Sequence, residues 1–135
     1  MTKRFGALAL ALALGVPAAP GTAASFDGSV PLICAAIEIM ECGSGGECHR
    51  RTAESVNLPR FIKLDFARKT ITGAGADQRT APINSFERAD GRIIMHGGQE
   101  GRAWSLVIAE DTGNMSAGVV DHDFAFLVFG ACTPL

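Results

Sequence analysis

The chain has 135 residues, 47% hydrophobic and 19% charged, with 12 basic against 14 acidic side chains. The slight acidic excess leaves no basic stripe for nucleic acid and no electrostatic pull toward anionic lipid. A chain of this length builds one domain around one core.

Residues 1–24 read as an export signal that is not part of the folded domain. Lys3 and Arg4 form a positive start, and residues 5–16 are an apolar run built mostly from Ala and Leu. Gly15-Val16-Pro17 breaks the run, and Thr22-Ala23-Ala24 supplies the small residues that a signal peptidase reads. The run is too short to span a bilayer, which takes roughly 20 apolar residues. No Cys follows it directly to carry a lipid. Residues 25–135 are then a single domain of the periplasm or the extracellular medium, with no membrane span in the mature form. All four Cys lie in this part, so disulfides are the expected state.

In chain order, residues 25–31 are a polar lead-in. Residues 33–41 fit either a strand or a helix by period, and their three Ile tip the balance toward a strand, because β-branched side chains lose rotamer freedom in helices. Cys42 to Cys48 enclose a Gly-rich turn, and residues 48–56 read as a polar edge strand stopped by Asn57 and Pro59. In residues 60–66, Ile62 and Leu64 share a face opposite Lys63 and Asp65. Residues 69–72 form a short returning strand, and residues 73–82 read as the longest and most mobile loop. Asp90-Gly91 between residues 83–89 and 92–96 marks a two-residue hairpin of type I′. Residues 97–101 read as a Gly-rich turn. Trp104, Leu106 and Ile108 then alternate with Ser105, Val107 and Ala109, and residues 110–114 carry turn chemistry. Residues 115–120 form the next strand and Asp121-His122-Asp123 a bend. The last strand is apolar on both faces, with Phe124, Phe126 and Val128 on one and Leu127 and Phe129 on the other, which places it centrally or under a cover.

This pattern predicts an all-β fold: an antiparallel meander of about eight short strands closed as a small barrel, with a sandwich as the alternative. Four Cys allow three pairings. Cys34 and Cys42 would stand roughly 26 Å apart along a strand, against the ~4.4–6.8 Å Cα separation of a disulfide. The preferred set is Cys42–Cys48 across the Gly-rich turn and Cys34–Cys132 tying the first strand to the last. Cys34–Cys48 with Cys42–Cys132 is the alternative.

No catalytic constellation emerges, no metal site is predicted and no cofactor is implied. In an extended segment Asp121, His122 and Asp123 point to alternating faces, so at best two converge on a metal. Cys48-His49 lacks the second Cys of a haem attachment motif, and Gly43-Ser44-Gly45 is not a nucleophile elbow. Gly73-Ala74-Gly75-Ala76 is neither a dinucleotide fingerprint nor a P-loop. The expected protein is therefore non-enzymatic and monomeric.

The stretches Pro31-Leu32-Ile33-Cys34, Gly101-Arg102-Ala103-Trp104-Ser105, Thr112-Gly113-Asn114-Met115 and Phe129-Gly130-Ala131-Cys132-Thr133 together resemble small exported proteobacterial proteins of unassigned function. That resemblance implies export and a compact domain. More loosely, the layout is similar to lipocalin-like binders and to periplasmic inhibitors of lysozyme or proteases, although Tyr is absent and the single Trp, Trp104, comes late in the chain. Two functions follow as expectations. One is binding of a small apolar ligand inside the barrel, lined by Phe61, Trp104, Phe124 and Phe126. The other is docking of an envelope protein, a hydrolase included, on rim loops such as residues 73–82 and 97–101. An interior cavity of at least ~300 Å³ lined by Phe and Leu favours the first. A filled interior with an exposed apolar rim favours the second.

Overall fold

The computed structural model describes residues 26–135; the predicted export signal lies outside the described residues. Ten strands follow in order: β1 (Leu32–Gly43), β2 (Cys48–Arg51), β3 (Phe61–Asp65), β4 (Thr70–Ala74), β5 (Thr80–Pro82), β6 (Ser85–Ala89), β7 (Arg92–Gln99), β8 (Arg102–Ala109), β9 (Asn114–Val120) and β10 (Phe124–Pro134). A 3-10 turn at Glu54–Val56 separates β2 from β3. The strands form one antiparallel sheet in the order β5-β4-β3-β1-β10-β9-β8-β7-β6, with β2 paired to the far half of β1. The final strand is central, one of the two placements its apolar faces allowed, with β1 on one side and β9 on the other, while Leu127 and Phe129 on its outer face stay exposed.

The all-β expectation holds, but the barrel is not closed and is not a sandwich, and there are ten strands rather than eight. The sheet curls into a half-barrel whose two edges, β5 and β6, are consecutive in the chain and joined only by Ile83-Asn84. Below that corner the segment bonds to β7, through Asn84 N–H to His96 C=O at 2.9 Å. Above it, β5 turns its backbone bonds toward β4: Ala81 pairs with Ile71, and Gly73 N–H donates to Arg79 C=O. By alternation, Thr80 and Pro82 are the residues facing β7. Pro82 has no N–H to donate there. A side chain spans the gap instead, Gln99 Nε2 donating to Thr80 C=O at 3.1 Å.

Two expected loops are mostly strand. Residues 73–82 contribute the end of β4 and all of β5, because Thr80 and Ala81 find partners in Thr72 and Ile71 and leave only residues 75–79 as a connection. Gly97 and Gly98 lie inside β7, paired with Trp104 and Ala103, and the turn shrinks to Glu100-Gly101 with both φ angles positive. Asp90-Gly91 adopts the same positive-φ pair, in keeping with a type I′ hairpin.

The Cys34–Cys132 and Cys42–Cys48 disulfides both form, each joining residues directly opposite one another in neighbouring strands. The concave face holds the core, with Leu32, Leu64, Ile93, Met95 and Ile108 fully enclosed in its lower half. Phe26 closes the lower end. Its ring lies against Gly113, which has a φ of +73° and accepts a hydrogen bond from Cys132 N–H. That position leaves no room for a Cβ, which would sit 2.6 Å from the ring.

Candidate functional site

The upper half of the concave face is not filled. Alternation sends Ile62 of β3, Ile71 of β4, Trp104 and Leu106 of β8, and Val119 of β9 inward. Between them the inward positions are small: Ala36 of β1, Gly73 of β4, Ala81 of β5 and Ala117 of β9. Large side chains below and small ones above leave an apolar cavity of about 170 Å³ that opens at the upper rim, beside Leu58, Pro59 and Glu100. Trp104 forms one wall and can lie flat against β7 only because its partner there is Gly97, where a Cβ would strike the indole.

Two arginines stand at the mouth, and both are already engaged. The Arg79 guanidinium donates through Nε to both Asp77 carboxylate oxygens, at 2.9 and 3.0 Å, and through an Nη to Asn57 C=O at 2.7 Å. These hydrogen bonds hold the Asp77 carboxyl below its ordinary range and raise the guanidinium above its own. Arg102 donates through Nε to Asp121 Oδ2 at 3.0 Å and lies 5.4 Å over the Phe124 ring. The backbone N–H of His122, then Arg102, then the His122 ring lower the Asp121 carboxyl to about 2. The mouth therefore presents neutralised pairs rather than a free cation.

Of Phe61, Trp104, Phe124 and Phe126, the four residues expected to line the barrel interior, Trp104 borders this cavity and the other three do not. Phe126 is core and packs at 5.0 Å on the half-buried Phe124, which is spent under Arg102; neither borders the cavity. Phe61 points the other way, because β3 places it on the convex face, opposite Ile62. The residues that sequence reasoning leaves out, Ile71 and the small positions Ala36, Ala81 and Ala117, carry no local signal that sets them apart from other strand residues. The signal for Ile62 and Leu106 is present in the alternation that places each on an apolar face.

The acid–histidine bend differs from its extended reading. Asp121 Oδ1 lies 2.5 Å from His122 Nδ1 and Asp123 Oδ2 lies 2.8 Å from Nε2, so the turn brings both carboxylates onto one imidazole and occupies both its nitrogens. Among the described residues no group of three or more His, Cys, Asp or Glu is arranged to hold a metal ion. His49 stands near Glu47 at 3.8 Å, and His96 is an exposed strand residue opposite Ser85 and Ser105.

Fold and site together define a disulfide-linked, curled antiparallel β domain with an apolar cavity at one end. No protein-family model, curated protein sequence or solved structure matches the chain.

Proposed function

We propose that this domain is an exported, non-enzymatic binding protein that holds a small, uncharged apolar group in the Trp104 cavity. The supporting observation is the cavity itself, walled by apolar side chains and open at the rim. Its size narrows the guest. At about 170 Å³ and with no Phe in its wall it falls short of the expected Phe- and Leu-lined cavity of at least ~300 Å³, so the guest is smaller than a drug-sized ligand. The volume is close to the ~150 Å³ of an engineered apolar cavity that binds benzene. A single ring or a short branched chain fits inside it. The paired arginines set the charge, because each already faces a carboxylate and a charged guest gains less there than beside an unpaired cation. Two disulfides suit the oxidising compartment in which such a carrier or scavenger works.

The test uses Trp104 as an intrinsic reporter, since the chain has no other Trp and no Tyr. Toluene and cyclohexanol are titrated into the protein while melting temperature and Trp104 emission are followed, and native mass spectrometry is run on protein purified from its own host. A saturating ligand at 100 times its Kd stabilises by about 2.7 kcal/mol. Ala117→Leu, which fills the cavity, abolishes the shift. Failure of every ring-sized probe, together with no co-purified molecule, overturns the reading.

A further inference from the structure

The convex face of the sheet carries an apolar stripe that crosses four strands. Register places Phe61 of β3 opposite Ala35 of β1, Ile37 beside Phe129 of β10, and Leu127 opposite Gly118 of β9, with Val120 two residues farther on. These are large side chains facing water: Ile37 is 74% exposed, Val120 51%, Phe129 and Leu127 46% each, and Phe61 44%. Ile37 owes its prominence to a β-bulge. The register of β1 against β10 slips between Ala36 and Glu38, leaving Ile37 without a partner and pushed outward. The bulge falls where β1 leaves β3 and takes up β2.

We infer that this stripe is the contact surface for a second copy of the same chain. Area is the first argument. From these exposures the stripe offers on the order of 500 Å² of apolar surface, at the upper end of what a monomer leaves uncovered. Two copies together bury about 1,000 Å², the lower bound of a specific interface. Charge is the second. The arginines bordering the stripe are paired within the chain, Arg50 with Glu38 at 2.6 Å and Arg60 with Glu54 at 3.1 Å. Lys63 lies past Phe61 at the lower margin. With its arginines paired and Lys63 alone at one end, the border offers little net charge to address a charged partner or an anionic lipid surface, and little to repel its own copy. Shape is the third. The projecting Leu127 and Phe129 are flanked across the ladder by the small Gly118 and Ser116, and Ala131 and Ala35 lie next on the same face, a relief of large and small residues that a two-fold-related copy can complement.

Sedimentation velocity of the exported protein over roughly 1–500 µM is the test, with a reversible monomer–dimer equilibrium expected in the tens of micromolar for so small an interface. Phe129→Ser and Ile37→Ser each raise the dimer dissociation constant by roughly tenfold or more while leaving the circular dichroism spectrum and melting temperature of the monomer in place. As a readout free of variants, hydroxyl-radical labelling of Phe129 and Leu127 falls as wild-type concentration rises. A wild-type protein that stays monomeric throughout, a dimer indifferent to both substitutions, or a monomer that binds phosphatidylcholine vesicles through these residues overturns the inference. None of these outcomes bears on ligand uptake in the cavity, which lies on the opposite face.

Discussion

The two disulfides close loops of very different length, and their removal should cost very different amounts. Cys34 and Cys132 are 98 residues apart in sequence, Cys42 and Cys48 only 6. In the chain-entropy account, releasing the first restores about 4.7 kcal/mol of freedom to the unfolded chain, and releasing the second about 2.4 kcal/mol. Their surroundings widen the difference. Cys34 and Cys132 are both buried, so replacing them with Ala also removes packed sulfur from the core, whereas Cys48 is exposed. Small domains are stable by only about 5–15 kcal/mol, so Cys34→Ala/Cys132→Ala should bring this one near its threshold. Cys42→Ala/Cys48→Ala should leave a cooperative, well-folded protein. Urea unfolding of both double variants against wild type, at one temperature and with m-values compared, measures the two losses. Equal losses, or a larger loss for the short loop, would refute the reasoning, because unfolded-chain entropy would then not be what the bridges control.

Other outcomes follow from single contacts. The Asp121 carboxyl, ordinarily near 3.8, is held at about 2 in the folded protein. Its contribution to stability is therefore complete above the unfolded value and lost as pH falls from about 4 toward 2. Urea midpoints measured between pH 2 and 6 should show this acid-side loss in the wild type and a shallower one in Asp121→Asn. At Gly97 an added Cβ would strike the Trp104 ring and come within 2.6 Å of Pro82 C=O. Gly97→Ala should cost about 1–3 kcal/mol and move the Trp104 emission maximum, and unchanged emission would contradict the stated packing. Leu64 is fully enclosed in the lower core, so Leu64→Ala should cost about 2–5 kcal/mol by thermal or urea unfolding.

Much of this architecture is legible in the sequence because strand alternation and turn chemistry are local. The Asp90-Gly91 hairpin, the shared face of Ile62 and Leu64, the inward set Trp104, Leu106 and Ile108, and the two-faced final strand are each written within a dozen residues or fewer. The observed disulfides are the preferred of the two sets that spacing leaves once it disfavours Cys34–Cys42. Sequence and structure part company where local composition points to turns and distant partners supply a ladder. Thr80 and Ala81 are strand only because Thr72 and Ile71 lie beside them, and Gly97 is strand only because Trp104 lies across it.

Sequence alone determined the class of fold and the faces of the strands and narrowed the four Cys to two sets of pairs, because each depends on period, turn type or the reach of a bond. Tertiary structure alone decided three things: that the barrel stays open at Pro82, that small residues from four strands gather into one cavity, and that Leu127 and Phe129 face water instead of a covering layer. Each turns on which residues far apart in the chain are brought side by side, and no local pattern records that.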